Sequence, residues 1–478
     1  MLKKVVAILI CLSSSAGVFA AERSGNPIAK QAASETTLAA VRRSDAADRA
    51  SNGKLKKLTP PEHMRRANVY LGNRAFAEAR DHWQTLIDNY PEDSRVPEAL
   101  LGIGRSYFLG KIYQDGYVIF NQLVQQYGPS KEGREALNFS AASLLRMGRF
   151  SESAARYAEY VDRFPNGERI DTAHLNVIDT LREANKPAEA LNWVARTRQK
   201  FAGSATETNA MFGALRLYVA EEQWSDAVQM ADQLLRRPFP KAVLTSPTEV
   251  AYLKAFSLEQ AGKKNEAFTA YLNVPDSVDS YYGWLASQRL SKLAGPTQAE
   301  VVAKREERVN NAIASVASSY PAPYRQAILS AAKARKLDPR FILALIKQES
   351  VFKPQAKSPA GARGLLQLTM DTAQKHAPGA GFNLVRENQL YQPDTSIRLG
   401  AEYLEYLTKL FPEMLEPVAA SYNGGEDNVA RWLKRSKREE PGVFTAEVGF
   451  DETKGYVQKV MANYRVYRAL YTPDLVRK

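Results

Sequence analysis

The chain has 478 residues, 45% of them hydrophobic and 24% charged, with one cysteine and a formal net charge of +13. That much apolar material excludes a disordered or fibrous chain and supplies core for about two or three domains. The basic balance suits an anionic partner such as cell-wall polymer or a membrane surface, and equally a merely solvated surface, so charge alone selects no function.

Residues 1–20 read as a secretory signal, with Lys3 and Lys4 as the basic start, "VVAILICL" as the apolar core and Val18-Phe19-Ala20 as a small-residue cleavage site. The protein is therefore expected to be exported. The uncharged run from Val5 to Ala21 is short for a spanning helix, and no later segment is apolar enough to span, so no transmembrane segment is expected in the mature chain. Cys11 lies inside the signal, preceded by Ile10 where a lipidated cysteine needs a small residue; cleavage leaves no thiol and no disulfide. Removing two lysines from +13 leaves +11. Residues 21–58 are rich in Ala, Ser, Arg and Lys with few large apolar side chains, a composition that predicts a flexible tether.

Residues 59–276 carry an internal repeat with a step of 37. Phe76, Tyr113, Phe150, Pro187 and Trp224 share one register, each followed three positions later by a small residue: Ala79, Gly116, Ser153, Ala190 and Ala227. Tyr90, Tyr127, Phe164 and Phe201 close the units, Gly72, Gly110 and Gly148 fall near their turns, and a sixth unit, "KKNEAF", comes after a short insertion. Between these marks apolar residues recur at three and four, which predicts two amphipathic helices per unit stacked into a curved solenoid. The small residue lets helices approach and the aromatic fills the gap. Such a surface suits a protein partner or a glycan, or serves as a spacer. Residues 277–319, with "SYYGWLASQRLSKLAG", predict a helical linker.

From Tyr320 the texture changes. In "LDPRFILALIKQES" Asp338 is an N-cap and Pro339 opens the helix, so Ile342, Leu345 and Ile346 form one apolar stripe. Glu349 lies on that same face, four beyond Leu345 and three beyond Ile346. A carboxyl withdrawn from water has its pKa raised and suits a general acid; a Glu that snorkels at a helix end or pairs with a buried Arg gives the same spacing. Downstream come the Gly-rich "SPAGARGLLQLT", "SYNGG" just after an apolar helix, and "DETKGYVQKV" with Glu452 and Tyr456 four apart.

These four pieces, Glu349-Ser350, Gly364 to Gln367, Ser421 to Gly425 and Glu452 to Val457, stand in an order that makes residues 320–472 resemble the catalytic domain of the soluble lytic transglycosylases. The preceding "YYGWLASQRL" resembles the linker of that family, and the repeats resemble tetratricopeptide repeats, whose usual unit is shorter. The resemblance implies an all-α chain: an N-terminal helical-repeat solenoid followed by a goose-type lysozyme-like, mainly helical catalytic domain over residues 320–478. It implies peptidoglycan glycan strands as substrate, cut between N-acetylmuramic acid and N-acetylglucosamine with 1,6-anhydro ends, and Glu349 as acid then base; a lysozyme-like hydrolase that admits water and a non-catalytic wall-binding scaffold are the competing readings. Ser350, Ser358, Gly364, Gln367, Tyr422, Asn423, Glu452 and Tyr456 would line or support the glycan site, Glu452 as an orienting group rather than a second catalytic acid. A Gram-negative periplasm is the expected compartment.

The sequence departs from the family at Leu366, at Thr369-Met370 and at Gly424, each expected near the groove. His63, His82, His174 and His376 show no ligand spacing and no phosphate or calcium loop is present, so neither a metal nor another cofactor is expected, and no nucleic-acid partner. The run "KRSKR", residues 434–438, reads as a solvated basic face.

Overall fold

Apolar residues at three and four with a break every half unit ask for helices in pairs, and the chain builds them. The computed structural model describes residues 27–50 and 53–478, with side chains from residue 37 onward, so the expected signal lies outside the described residues. Among the described residues there are 23 α-helices and only isolated β-bridges. After α1 (Pro27–Asp48), the pairs are α2 (Pro60–Gly72) with α3 (Phe76–Asn89), α4 (Val96–Leu109) with α5 (Tyr113–Tyr127), and α6 (Lys131–Arg146) with α7 (Phe150–Arg163). They continue as α8 (Ile170–Glu183) with α9 (Pro187–Lys200), α10 (Ala205–Ala220) with α11 (Trp224–Leu235), and α12 (Pro247–Gln260) with α13 (Lys264–Leu272).

The 37-residue marks Phe76, Tyr113, Phe150, Pro187 and Trp224 are the first residues of α3, α5, α7, α9 and α11. The small residues three positions on, among them Ala79, Ser153, Ala190 and Ala227, are fully buried where neighbouring helices meet. The turn inside each pair repeats to the residue: Arg74, Lys111, Gly148, Asn185 and Glu222 all have φ between 55° and 75°. In every case the next N–H returns to a carbonyl five residues back at 2.9 Å, a Schellman closure. Only one of the five is glycine. The other four carry a left-handed cost of about 1 kcal/mol each, borne by the closure and the packing behind it.

The stretch expected to be a tether needs correction. Within its described part, α1 buries Val41 and Asp45. Asp45 accepts from Arg66 Nη1 at 2.5 Å, from His82 Nε2 at 3.0 Å and from the Tyr70 hydroxyl. His63 and His82 meet through their Nδ1 atoms at 3.0 Å, and the Leu58 N–H points at His63 Nε2 at 3.3 Å. An amide can only donate, so His63 carries its proton on Nδ1 and gives it to His82 Nδ1. His82 then carries its own on Nε2 and gives it to Asp45. A composition argument counts large apolar side chains and misses an anchor made of one buried carboxylate with three donors.

Residues 27–213 form one compact unit and 214–478 a second. The expected boundary near residue 277 is thus displaced, because α12 and α13 pack against helices downstream of that position. The second unit continues with α14 (Tyr281–Leu293), α15 (Ala299–Ser315), α16 (Arg325–Arg335), α17 (Pro339–Glu349) and α18 (Met370–His376). It closes with α19 (Pro393–Leu410), α20 (Leu415–Gly424), α21 (Glu426–Ser436), α22 (Pro441–Glu447) and α23 (Asp451–Leu470).

Buried polar contacts join these parts. The "YYG" tyrosines of α14 both reach α22 and each ties in a further helix: Tyr281 OH lies 3.2 Å from Glu416 of α20 and 3.1 Å from Thr445 of α22. Tyr282 OH donates to Glu249 of α12 at 3.0 Å. Glu249 also takes Lys454 of α23 at 3.1 Å, and Tyr252 OH donates to Glu440 at 2.6 Å. The basic run is likewise not a bare solvated face. Arg435 is buried on Glu447 at 2.9 Å, while Lys437 and Arg438 pair with Glu221 and Glu222 at 2.7 and 2.5 Å.

Candidate active site

α17 starts as its sequence demands. Asp338 caps it, accepting from Arg340 N at 2.9 Å, and its other oxygen takes the Tyr464 hydroxyl at 2.9 Å, which fixes the helix start against α23. Ile342, Leu345 and Ile346 are fully buried, and Phe341 meets Tyr464 edge to face at 5.5 Å. The helix ends at Glu349. Beyond it Val351 and Phe352 both take φ near 50–60°, rare for bulky side chains, so the chain turns sharply away and leaves the carboxyl at the helix end.

Glu349 is 8% exposed. Burial pushes its carboxyl up to about 8; the opposing influence is the Tyr456 hydroxyl, which donates to Glu349 Oε1 at 2.6 Å from α23. Tyr456 is itself buried, and its own ionisation is driven well above the ordinary phenol value by that burial and by the adjacent Glu349. A carboxyl in this setting is protonated at neutral pH and able to give its proton up, which is what a general acid requires. The alternative of a Glu paired with a buried Arg is not what the side chain does.

The Gly-rich loop folds back on itself through antiparallel bridges between Lys357 and Arg363 and between Arg363 and Leu368. Gly364 has φ of +79°, and a Cβ there would sit 1.9 Å from the Leu390 carbonyl oxygen, so its role is to let the loop close. Gln367, at φ of +46°, donates from Nε2 to the carbonyls of Ala356 at 3.0 Å and Gly364 at 2.9 Å. Both amide donors are thereby spent, and what Gln367 retains for a ligand is an acceptor oxygen. Ser358 is buried and accepts from Ala362 N at 3.0 Å; Ser350 is buried with its hydroxyl 3.2 Å from the Ile346 carbonyl. These two serines hold backbone together.

α20 delivers Tyr422 and Asn423 at its last turn. Tyr422 OH donates to the Leu366 carbonyl at 2.7 Å, tying α20 to the Gly-rich loop, and Asn423 Oδ1 accepts from Thr453 Oγ1 at 2.6 Å, tying it to α23. Glu452 is exposed in the first turn of α23, one helical turn before Tyr456. A second buried carboxyl, Glu416, is raised to about 7 by burial, with its own backbone and Tyr281 pulling the other way. It stands in the first turn of α20, about 9 Å along the helix from Tyr422.

Of the expected groove departures, one turns inward and one serves as a helix cap. Leu366 is fully buried against α19 at Gly400, and Thr369 caps α18, accepting from Thr372 N at 3.2 Å. Three aromatic neighbours were not singled out as site residues. Tyr403 lies 5.2 Å from the Tyr422 ring, His376 lies 4.9 Å from Tyr403 and 5.2 Å from Tyr406, and the tyrosines sit three apart on α19. The spacing of "AEYLEYL" was the available signal. Among the described residues no group of three or more His, Cys, Asp and Glu is placed to hold a metal, and no helix is long and apolar enough to cross a membrane.

Residues 326–444 match the sequence profile of the transglycosylase SLT domain. The chain carries an SLT domain. Residues 64–129 and 141–205 match that of the tetratricopeptide repeat, so the domain stands after repeats of that kind. The SLT match contains Glu349 and every candidate through Asn423 but stops before α23; the structure brings Tyr456 to it. A relative from Haemophilus influenzae is 30% identical over 229 residues, 48% of this chain and 38% of its own. The soluble lytic murein transglycosylase of Salmonella typhimurium is 32% identical over 151 residues, 31% of this chain and 23% of its own. The chain is homologous to these proteins while spanning less than two-fifths of their lengths. The crystal structure of the 70 kDa soluble lytic transglycosylase of Escherichia coli aligns over 92% of this chain and 84% of that one, with 17% identity and a TM-score of 0.48.

Proposed function

We propose that the chain is a lytic transglycosylase acting on peptidoglycan, cleaving the β-1,4 bond between N-acetylmuramic acid and N-acetylglucosamine without water. The observation that carries this reading is the buried carboxyl of Glu349, raised to about 8 and, among the described residues, taking the Tyr456 hydroxyl with no cation paired to it. A glycosidase that admits water uses two carboxyl groups across the bond, whereas one carboxyl suffices when the substrate assists itself.

In the proposed sequence the Glu349 proton goes to the glycosidic oxygen as the C1–O bond breaks, and the muramyl acetamido oxygen supports C1. The Glu349 carboxylate then accepts the proton of the same sugar's 6-hydroxyl while O6 bonds to C1, closing the 1,6-anhydro ring and releasing the acetamido group. Proton and electron pairs balance, and Glu349 ends protonated. The Gln367 oxygen, Tyr422 and Asn423 would orient the glycan, and Glu452, exposed at the rim, would act on the substrate or its neighbours rather than on Glu349.

Export to a Gram-negative periplasm through residues 1–20 belongs to the same proposal, supported by the basic start and apolar core of that segment. The test is mass spectrometry of sacculi digested with the purified chain. Products ending in 1,6-anhydromuramyl groups are expected; exclusively reducing ends would replace the reading with a hydrolase. Unchanged turnover in Glu349→Gln would remove the acid assignment.

A further inference from the structure

α23 carries the hydroxyl that meets Glu349, yet it begins without a side-chain cap. Its N-cap, Phe450, has no acceptor to offer, whereas α17 is capped by Asp338 and α12 by Ser246. The first N–H groups of an uncapped helix lack a partner and its start needs other support. Three side chains near that start each reach a different helix. Thr453 donates to Asn423 of α20 at 2.6 Å, Lys454 to Glu249 of α12 at 3.1 Å, and Tyr456 to Glu349 of α17 at 2.6 Å.

The Lys454 contact differs from the other two in being a buried ion pair, with Lys454 6% and Glu249 1% exposed. Glu249 is rigidly held. Thr245 Oγ1 donates to its Oε2 at 2.7 Å, the Tyr282 hydroxyl to its Oε1 at 3.0 Å, and its own N–H donates to Ser246 Oγ at 3.1 Å. Lys454 also donates to the Leu244 carbonyl at 3.2 Å. Burial pushes its ammonium below the ordinary lysine value, with Arg216 acting the same way and Glu249 and Glu447 pulling upward. Two apolar side chains would join α12 to α23 about as firmly, because desolvation consumes most of what a buried ion pair gains from attraction. What apolar packing lacks is direction. A charged bond to a fixed carboxylate sets the rotation and axial position at which α23 starts, and Tyr456 stands two residues further on.

We propose that Glu249 and Lys454 are positioning residues for the acid: the pair holds the start of α23 so that the Tyr456 hydroxyl meets Glu349 and Thr453 meets Asn423. The helix pair α12 and α13, which carries the sixth repeat mark, thereby helps to build the site. The proposal rests on the glycan-cleaving reading for the task of Glu349. The titratable groups facing Glu349 are Tyr456 of α23 and Tyr422 of α20, and its protonation answers to burial and to the Tyr456 bond. A change at Lys454 therefore reaches it through α23.

The test is carbon-13 NMR of the full chain labelled at its glutamate carboxyls, with Glu349 identified as the resonance missing in Glu349→Gln. In the wild type it should titrate near pH 8. Lys454→Met and Glu249→Gln should each raise that midpoint by about half a pH unit, part of the shift expected when the Tyr456 hydroxyl is lost altogether. In a Tyr456→Phe background neither should add to the shift, as two changes acting through one contact do. The double variant Glu249→Gln/Lys454→Met leaves no unpaired buried charge and gives the same reading where a single variant is too unstable to titrate. A midpoint that stays in place in the folded variants would overturn the proposal, because a merely structural pair lowers stability without moving Glu349. A full further shift on top of Tyr456→Phe would overturn it too. The titration needs no substrate, so reducing ends from the wild type would replace the transglycosylase reading and leave the positioning role standing.

Discussion

Replacing Tyr456 by Phe removes one hydroxyl and keeps the ring that fills the space beside Glu349. The bond lost is 2.6 Å long and ends on a carboxyl that burial has already pushed up to about 8. A hydrogen bond to a charged group contributes about 1.5–3 kcal/mol and one to a neutral group about 0.5–1.5 kcal/mol, so the hydroxyl favours the ionised carboxylate by roughly 1.4 kcal/mol. That difference corresponds to about one pH unit. In Tyr456→Phe the ionised form loses its donor, the carboxyl pKa rises further, and the alkaline limb of activity moves upward from near pH 8 by about one pH unit. The assay is the initial rate of soluble muropeptide release from purified sacculi between about pH 5 and about pH 10. Maximal rate should also fall, because the carboxyl loses its orienting partner. A limb that stays in place or moves to lower pH would refute the assignment of Tyr456 as the group that tunes Glu349.

Glu349→Gln should abolish turnover and also stabilise the fold. The folded pKa of Glu349 is raised from 4.5 to about 8, so its ionisation costs nothing at low pH and about 3 kcal/mol at pH 7. Denaturant unfolding should show the variant more stable at pH 7 and equal to wild type near pH 4. Gly364→Ala, which sets a Cβ 1.9 Å from a carbonyl at φ of +79°, should cost about 3 kcal/mol or more by thermal unfolding. Gly424→Ala meets Thr453 side-chain atoms at 3.0–3.1 Å and Trp432 in ordinary contact at 3.5 Å, and lies in a helix, so its stability should stay within about 1 kcal/mol of wild type. The repeat unit should weaken in acid. His63 is lowered by burial to about 4, and its contribution is complete above pH 6.5 and lost as pH falls toward 4, about 2 kcal/mol of it by pH 5. His63→Gln, which cannot titrate, should flatten that slope in urea titrations.

Much of this protein was decided along the chain. The 37-residue step set five marks, four aromatics and Pro187, that the structure places at the first residue of the second helix of each pair, and the Asp338-Pro339 start with its apolar stripe aimed Glu349 inward. Local spacing suffices wherever a residue's job is set by its own helix. It failed where partners come from far away in the chain. Arg74, Lys111, Asn185 and Glu222 hold left-handed turns that their side chains do not advertise, since the closure and packing rather than glycine sustain them. Asp45 anchors a segment poor in apolar groups because Arg66, Tyr70 and His82 converge on it. The same holds at the candidate site. Spacing could say that Glu349 faces inward; only the tertiary structure brought Tyr456 from 107 residues away onto its oxygen, because the balance between burial and that one donor depends on how α23 packs against α17.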